Sequence, residues 1–179
     1  MSSPELTRRG AAGLLALALP LALGGCLRPM YGPTASGVPL QDVLASIEIE
    51  PVITPPLQER VGHYLRSELV FDLDGSGQPR PKRYKLKIAI AESVQSPIVD
   101  TVTGRAVSAT LSATATYSLA TLDGKVVVPP STAISSASYD RSIQRFATVR
   151  AARDADIRVA RVLADQIKTQ LAAALATAS

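Results

Sequence analysis

The chain has 179 residues, 46% of them hydrophobic but only 4% aromatic, and a formal net charge of +4. That length suits one domain, whose core must be built from Leu, Ile, Val and Ala. One cysteine and one histidine exclude a disulfide framework, a Cys/His catalytic pair and a zinc site built from several Cys or His ligands. The mild basic excess suits an anionic lipid or glycolipid and argues little for nucleic acid.

Arg8 and Arg9 precede an apolar stretch from Ala11 to Leu23, followed by Gly24, Gly25 and Cys26. A basic start, a short apolar run and small residues before a cut site describe a secretory signal. The run is short for a membrane span, which needs about 20 apolar residues. Leu23-Gly24-Gly25-Cys26 resembles the bacterial lipobox, which implies cleavage before Cys26 and acylation of its thiol and new amine; the alternative is an ordinary signal with an incidental Cys. Acyl chains on Cys26 would tether a soluble domain to a membrane. Leu27 stands where an Asp tends to retain such proteins in the inner membrane, so the resemblance implies the outer membrane. Arg8-Arg9 fits a twin-arginine route poorly. The expected division is a signal at 1–25, a lipidated Cys and Pro/Gly-rich tether at 26–45, and a folded domain at 46–179.

Ile47 to Ile53 opens with alternation, a short strand. Thr54 followed by Pro55 and Pro56 reads as a helix start, and Leu57, Val61, Tyr64/Leu65 and Leu69 extend a helix from about Pro55 to Phe71. His63, beside Gly62, reads as a surface residue. In the next strand Tyr84, Leu86, Ile88 and Ile90 face one way and Arg83, Lys85, Lys87, Ala89 and Ala91 the other. Val94 to Arg105 includes a loop whose role the residues do not state. A longer strand follows: Val107 to Leu119 alternates Ala, Leu and Tyr on one face with Ser108, Thr110, Ser112, Thr114, Thr116 and Ser118 on the other. Asp123-Gly124 marks a hairpin. The returning strand, from Val126 to Tyr139, holds Pro129 and Pro130, which forces it to an edge or into a bulge.

From Phe146 to about Ala176 the chain has neither Gly nor Pro and reads as one helix. Its apolar stripe is Val149, Ala152, Ile157, Ala160, Ala164, Ile167, Leu171 and Leu175, and its charged stripe, read as solvated, is Arg150, Asp154, Arg158, Arg161, Asp165 and Lys168. The order β-α-β-β-β-α predicts an α+β two-layer sandwich, a four-stranded mixed sheet with two helices on one face. The other face is then the hydroxyl and basic one.

Two sites follow. Arg80, Lys82, Arg83, Lys85 and Lys87 form the densest basic cluster, suited to charge-assisted bonds with a glycolipid's phosphates; they could equally discourage self-pairing of an edge strand. The row Ser108 to Ser118 offers short donors and acceptors to a close-fitting wall, or is an ordinary solvated face. Glu48/Glu50 and Asp72/Asp74 are close carboxylate pairs, but no nucleophile, metal ligand or second base accompanies them, so no enzyme and no cofactor is expected.

Gly25-Cys26-Leu27-Arg28-Pro29-Met30-Tyr31-Gly32-Pro33 resembles the GCGFRPLYG opening of alphaproteobacterial members of the LptE family. Tyr139, Phe146-Ala147, Leu163-Ala164, Ile167 and Leu171 are similar to its C-terminal pattern. Leu27, Met30 and the Pro129-Pro130 break depart from the pattern. The resemblance implies a plug inside the LptD β-barrel that assists that barrel's assembly and delivers lipopolysaccharide, held on the outer membrane through acylated Cys26 and facing the periplasm. The alternative is an auxiliary lipoprotein subunit of an envelope lipid-transport ABC system.

Overall fold

A computed structural model describes residues 32, 34, 37–56, 58–75, 80–96 and 98–178. The expected signal, Cys26, its immediate neighbours and Leu57 lie outside the described residues. In chain order the elements are α1 (Leu40–Ala45), β1 (Ile47–Ile49), α2 (Glu59–Asp74), β2 (Tyr84–Gln95), β3 (Ser108–Thr121), β4 (Val126–Asp140) and α3 (Arg145–Ala178). They belong to a compact unit spanning 33–179. The sheet order is β1-β2-β3-β4; β1 pairs with β2 in parallel and the other pairs are antiparallel. The fold is the expected α+β mixed sheet, with one helix more than the sequence suggested.

That helix is α1, within the stretch read as tether. Leu40, Val43 and Leu44, at helical spacing, enter the core together with Ala45. Six residues are too few to hold a helix alone, so α1 exists because its apolar face packs on α2 and α3.

The alternation of the strands sorts their two faces. Leu86, Ile88 and Ile90 of β2 lie beside Leu119, Tyr117 and Ala115 of β3 and are buried with them. Ala113 and Ala115 lie beside Ser135 and Ala133 of β4, also buried. Against this floor α3 places Ala155, Val159, Ala160, Leu163, Ala164, Ile167, Leu171 and Ala172. Small residues on both surfaces let helix and sheet approach closely, which replaces bulk with dispersion contact. No helix among the described residues is long and apolar enough to cross a membrane.

Three local expectations shift. The chain stays extended to Ile53, which bridges to Ala89 with Ile53 N–H donating to Ile88 O and Ile90 N–H to Ile53 O. A turn closed by Gln58 N–H to Pro55 O follows, so α2 begins at Glu59 and not at Pro55. In α3, Val149 is 52% exposed and Ala152 and Ile157 are only half-buried; the buried series starts at Ala155. The first turns of the helix lie over cavities and not over the packed core: Val149 lines one with the 100–107 segment and Ala152 another with Leu111 and Tyr139. The charged stripe is not all solvated: Arg161 pairs with Glu68 and Lys168 with Asp72, both at 3.5 Å, cross-linking α3 to α2. Pro129 and Pro130 sit as the sequence requires, on edge strand β4, where the pairing shifts between Tyr117↔Ser131 and Leu119↔Val128.

One buried polar group lies in the helical layer. Asp156 Oδ2 is 3.0 Å from Arg60 Nε, with its side chain only 7% exposed. Glu92, half-buried on β2, shares a cavity of about 200 Å³ with both, and with Gln58 and Tyr139. Burial, and then repulsion from Asp156, push the Glu92 carboxyl up to about 7 against the pull of Arg60. Burial likewise raises Asp156, with Arg60 opposing.

Two outcomes are expected. A Cβ on Gly62 would stand 2.6 Å from Thr54 Cγ2, a stiff β-branched group, so Gly62→Ala should destabilise the fold by about 1–2 kcal/mol despite its better helix propensity; a thermal melt checks this. Glu92 favours its protonated form when folded, so its contribution is present below 4.5 and is lost as pH rises through 7. Relative to wild type, Glu92→Gln should gain about 1 kcal/mol above that window, the effect being screened because the group is only half-buried. Urea melts on either side of the window read the difference.

Candidate functional site

The face of the sheet that no helix covers is built from side-chain rows across three strands. Gln95, Thr110 and Ser138 form one row, Ser93, Ser112 and Ser136 the next, then Ala91, Thr114 and Ile134, then Ala89, Thr116 and Thr132. All six hydroxyl residues named from the sequence lie on this face, five half-buried by their neighbours and Thr116 exposed. Thr110 and Ser138 share a hydrogen bond of 2.9 Å. Over these four rows the surface is made of uncharged, mostly short side chains, with Ile134 62% exposed among them.

The five basic residues named from the sequence divide. Arg80 pairs with Asp42 at 2.9 Å, and Lys82 pairs with Asp74 at 2.9 Å while donating to Ala45 O at 2.8 Å. These two tie α1 to the end of α2 and to the entry of β2. Arg83 lies over the Tyr84 ring, 5.9 Å from its centroid. Lys85 and Lys87 join the open face beside Ala120 and Ser118. The cluster is therefore two internal ties and a short cationic row near the β3–β4 hairpin.

A second cationic group appears at the far end, beside the Val94–Arg105 loop. Lys87 and Gln95 are eight residues apart on β2, roughly 26 Å at a rise of ~3.3 Å per residue. Here the β2–β3 hairpin and the start of α3 enclose a cleft of about 720 Å³. Arg105, Arg141 and Arg145 line it, with Val107, Ile143 and Val149 as its apolar lining and Asp100 and Thr103 at the hairpin side. Ile143 is 83% exposed, and Phe146 and Val102 close by are exposed too. Arg150 lies 5.8 Å from the Phe146 centroid.

Local bonds fix both walls. Asp100 Oδ1 accepts from Val102 N–H, Thr103 N–H and Thr103 Oγ1–H at 2.9, 2.7 and 2.9 Å, which holds its carboxyl below the usual range. Gly104, at φ +66°, turns the chain so that Asp100 N–H reaches Arg105 O. Opposite, Thr148 Oγ1 accepts from Ser142 N–H and donates to Ser142 O, and Ser142 Oγ accepts from Gln144 N–H. Arg141 N–H donates to Val107 O and joins the walls. The arrangement presents guanidinium forks beside exposed apolar side chains, the complement of an anionic amphiphile. Among the described residues no group of three or more His, Cys, Asp or Glu could hold a metal ion.

The sequence reading missed Arg141, Arg145 and the cleft because they come from segments some 40 residues apart that only the β3–β4 hairpin brings together. A signal was present: Ile98, Val99, Val102, Ile143 and Phe146 are large apolar residues in or beside loops, each near an Arg.

A candidate lipoprotein from Caulobacter crescentus CB15 superposes with a TM-score of 0.57 at 27% identity, covering 76% of this chain and 96% of that one. A minor lipoprotein from Acinetobacter baumannii gives 0.48 at 17% identity, covering 72% and 92%. No match is found among curated proteins. Residues 44–171 match the family model for LptE, lipopolysaccharide-assembly. That match spans β1 to most of α3, well over half of the chain, and this chain belongs to the LptE lipopolysaccharide-assembly family.

Proposed function

We propose that this LptE-family lipoprotein is the lipid-anchored plug and assembly factor of an LptD outer-membrane barrel, and that it takes part in passing lipopolysaccharide to the cell surface. Residues 1–25 would be the cleaved signal and acylated Cys26 the outer-membrane anchor. A tether from Cys26 would then end before α1, which begins at Leu40.

The observation that carries this reading is the cleft between the β2–β3 hairpin and α3. Lipopolysaccharide joins phosphates to acyl chains. Arg105, Arg141 and Arg145 offer the phosphates bidentate, charge-assisted hydrogen bonds, and Val107, Ile143 and Val149 offer apolar contact. The uncovered hydroxyl face supports the barrel contact: Ser108, Thr110, Ser112, Thr114, Thr116 and Ser118 bring a wall close and exchange hydrogen bonds with it. Arg83, Lys85 and Lys87 supply a second cationic surface at the other end, for glycolipid or for the rim of the barrel.

Affinity purification of the tagged full chain in detergent should recover a large β-barrel, and depletion should reduce surface lipopolysaccharide. Recovery of an inner-membrane lipid-transport complex with no barrel would instead favour a lipid-transport subunit. Within the site, Arg105→Glu with Arg141→Glu should weaken lipopolysaccharide binding at least about tenfold with the circular dichroism spectrum unchanged. Lys85→Glu with Lys87→Glu should have a smaller effect. Wild-type affinity in the first pair would remove the cleft from the mechanism.

A further inference from the structure

Both edges of this sheet need protection, and they receive it differently. A strand edge with unpaired N–H and C=O groups is a template for another strand. β1 is blunted by its length of three residues and by Pro51 just beyond it. The first half of β4 is blunted by Pro129, Pro130 and the shift in pairing there. From Ser131 to Tyr139, however, β4 is regular, on the edge, and without a charged side chain.

Over this stretch α3 supplies the missing partner. Gln166 Oε1 accepts from Ile134 N–H at 3.2 Å, and Gln166 Nε2 donates to Ile134 O at 3.1 Å. One side chain makes the pair of bonds that a residue of a fifth strand would make. Eight residues earlier, Arg158 donates from a terminal nitrogen to Ser138 O at 3.0 Å, while its Nε is held by Asp154 at 2.8 Å. The spacing has a geometric cause. Two helix steps of four residues advance ~12 Å, and two strand steps of two residues advance ~13 Å. A helix running antiparallel to β4 can therefore place every fourth side chain at every second edge residue. The same spacing assigns Val162 to the middle step, at Ser136, with no polar group to offer.

We propose that Arg158 and Gln166 form a strand-mimicking lock on the outer edge of β4, which keeps that edge from pairing with β4 of a second copy of the chain. The second copy is the occupant the edge fits: the uncharged run from Ser131 to Tyr139 meets no like-charge repulsion when paired with itself. The lock is independent of the barrel and of the glycolipid, so it stands whichever partner the protein serves.

The test uses the full chain in detergent. In Gln166→Ala, amide exchange at Ile134 should quicken about tenfold, the loss expected for one hydrogen bond, with the circular dichroism spectrum retained. Gln166→Ala combined with Arg158→Ala should give concentration-dependent dimers by light scattering. Val162→Gln should add a rung at Ser136 and melt at a higher temperature than Val162→Met, a control of similar length that cannot bond. Unchanged exchange at Ile134, a double variant that stays monomeric at every concentration, or equal melting of the two Val162 variants would each overturn the proposal.

Discussion

The domain depends on the close approach of α3 to the sheet. With so few aromatic residues, few large side chains are available to span a wide gap between layers; Tyr117, which bonds Gln170 of α3, is one. The chain instead narrows the gap. Ala109, Ala113, Ala115, Ala133 and Ala137 form the floor, and Ala155, Ala160, Ala164 and Ala172 face it. Leu163, Ile167 and Leu171 fill the spaces that remain, and Tyr117 is the one fully buried aromatic side chain among the described residues. Such a core has little slack, because an added methylene at an alanine position must displace a whole layer. It also makes α3 the organiser of the rest: α2 packs along it, α1 packs on both, and its polar side chains wrap β4.

The charged residues follow from this arrangement. Arg161 and Lys168 reach across to Glu68 and Asp72 because α2 lies beside α3, and Arg60 reaches Asp156 at the other end of the same seam. The Arg161 guanidinium is exposed and its pair adds little stability, whereas Asp156 is buried and Lys168 and Asp72 are mostly so. The value of the three pairs is in register, since they align two helices whose apolar faces alone would tolerate sliding. Lys82 does similar work for α1, binding both Ala45 O and Asp74.

Much of this was legible in the sequence, for definite reasons. Strand faces were readable because Leu86, Ile88 and Ile90 alternate with Lys85, Lys87 and Ala89, and a period of two admits no other reading. Pro129 and Pro130 required an edge or a bulge, and β4 has both there. Other features were not legible because they depend on what lies beneath an element. The stripe on α3 was read correctly from Ala160 onward, where the helix lies on the packed core, and misread at Val149 and Ala152, where it lies over cavities. α1 was hidden because six residues give too little periodicity to read, and Pro39 before it resembled the tether. Arg80 and Lys82 looked like a ligand site because sequence shows where charges cluster but not which carboxylate each will meet. The cleft joins two loops that only the β3–β4 hairpin brings together.

The start of α3 separates two kinds of constraint. Before Ala155 the helix contributes nothing to the core, yet it supplies Arg145 and Val149 to the cleft, and the opposite wall is a hairpin that also lies outside the core. Residues at this end can therefore change in charge, bulk or number without disturbing the alanine-lined interface. The recognition surface is free to diverge with whatever anionic amphiphile a given envelope contains, while the scaffold beneath it stays fixed.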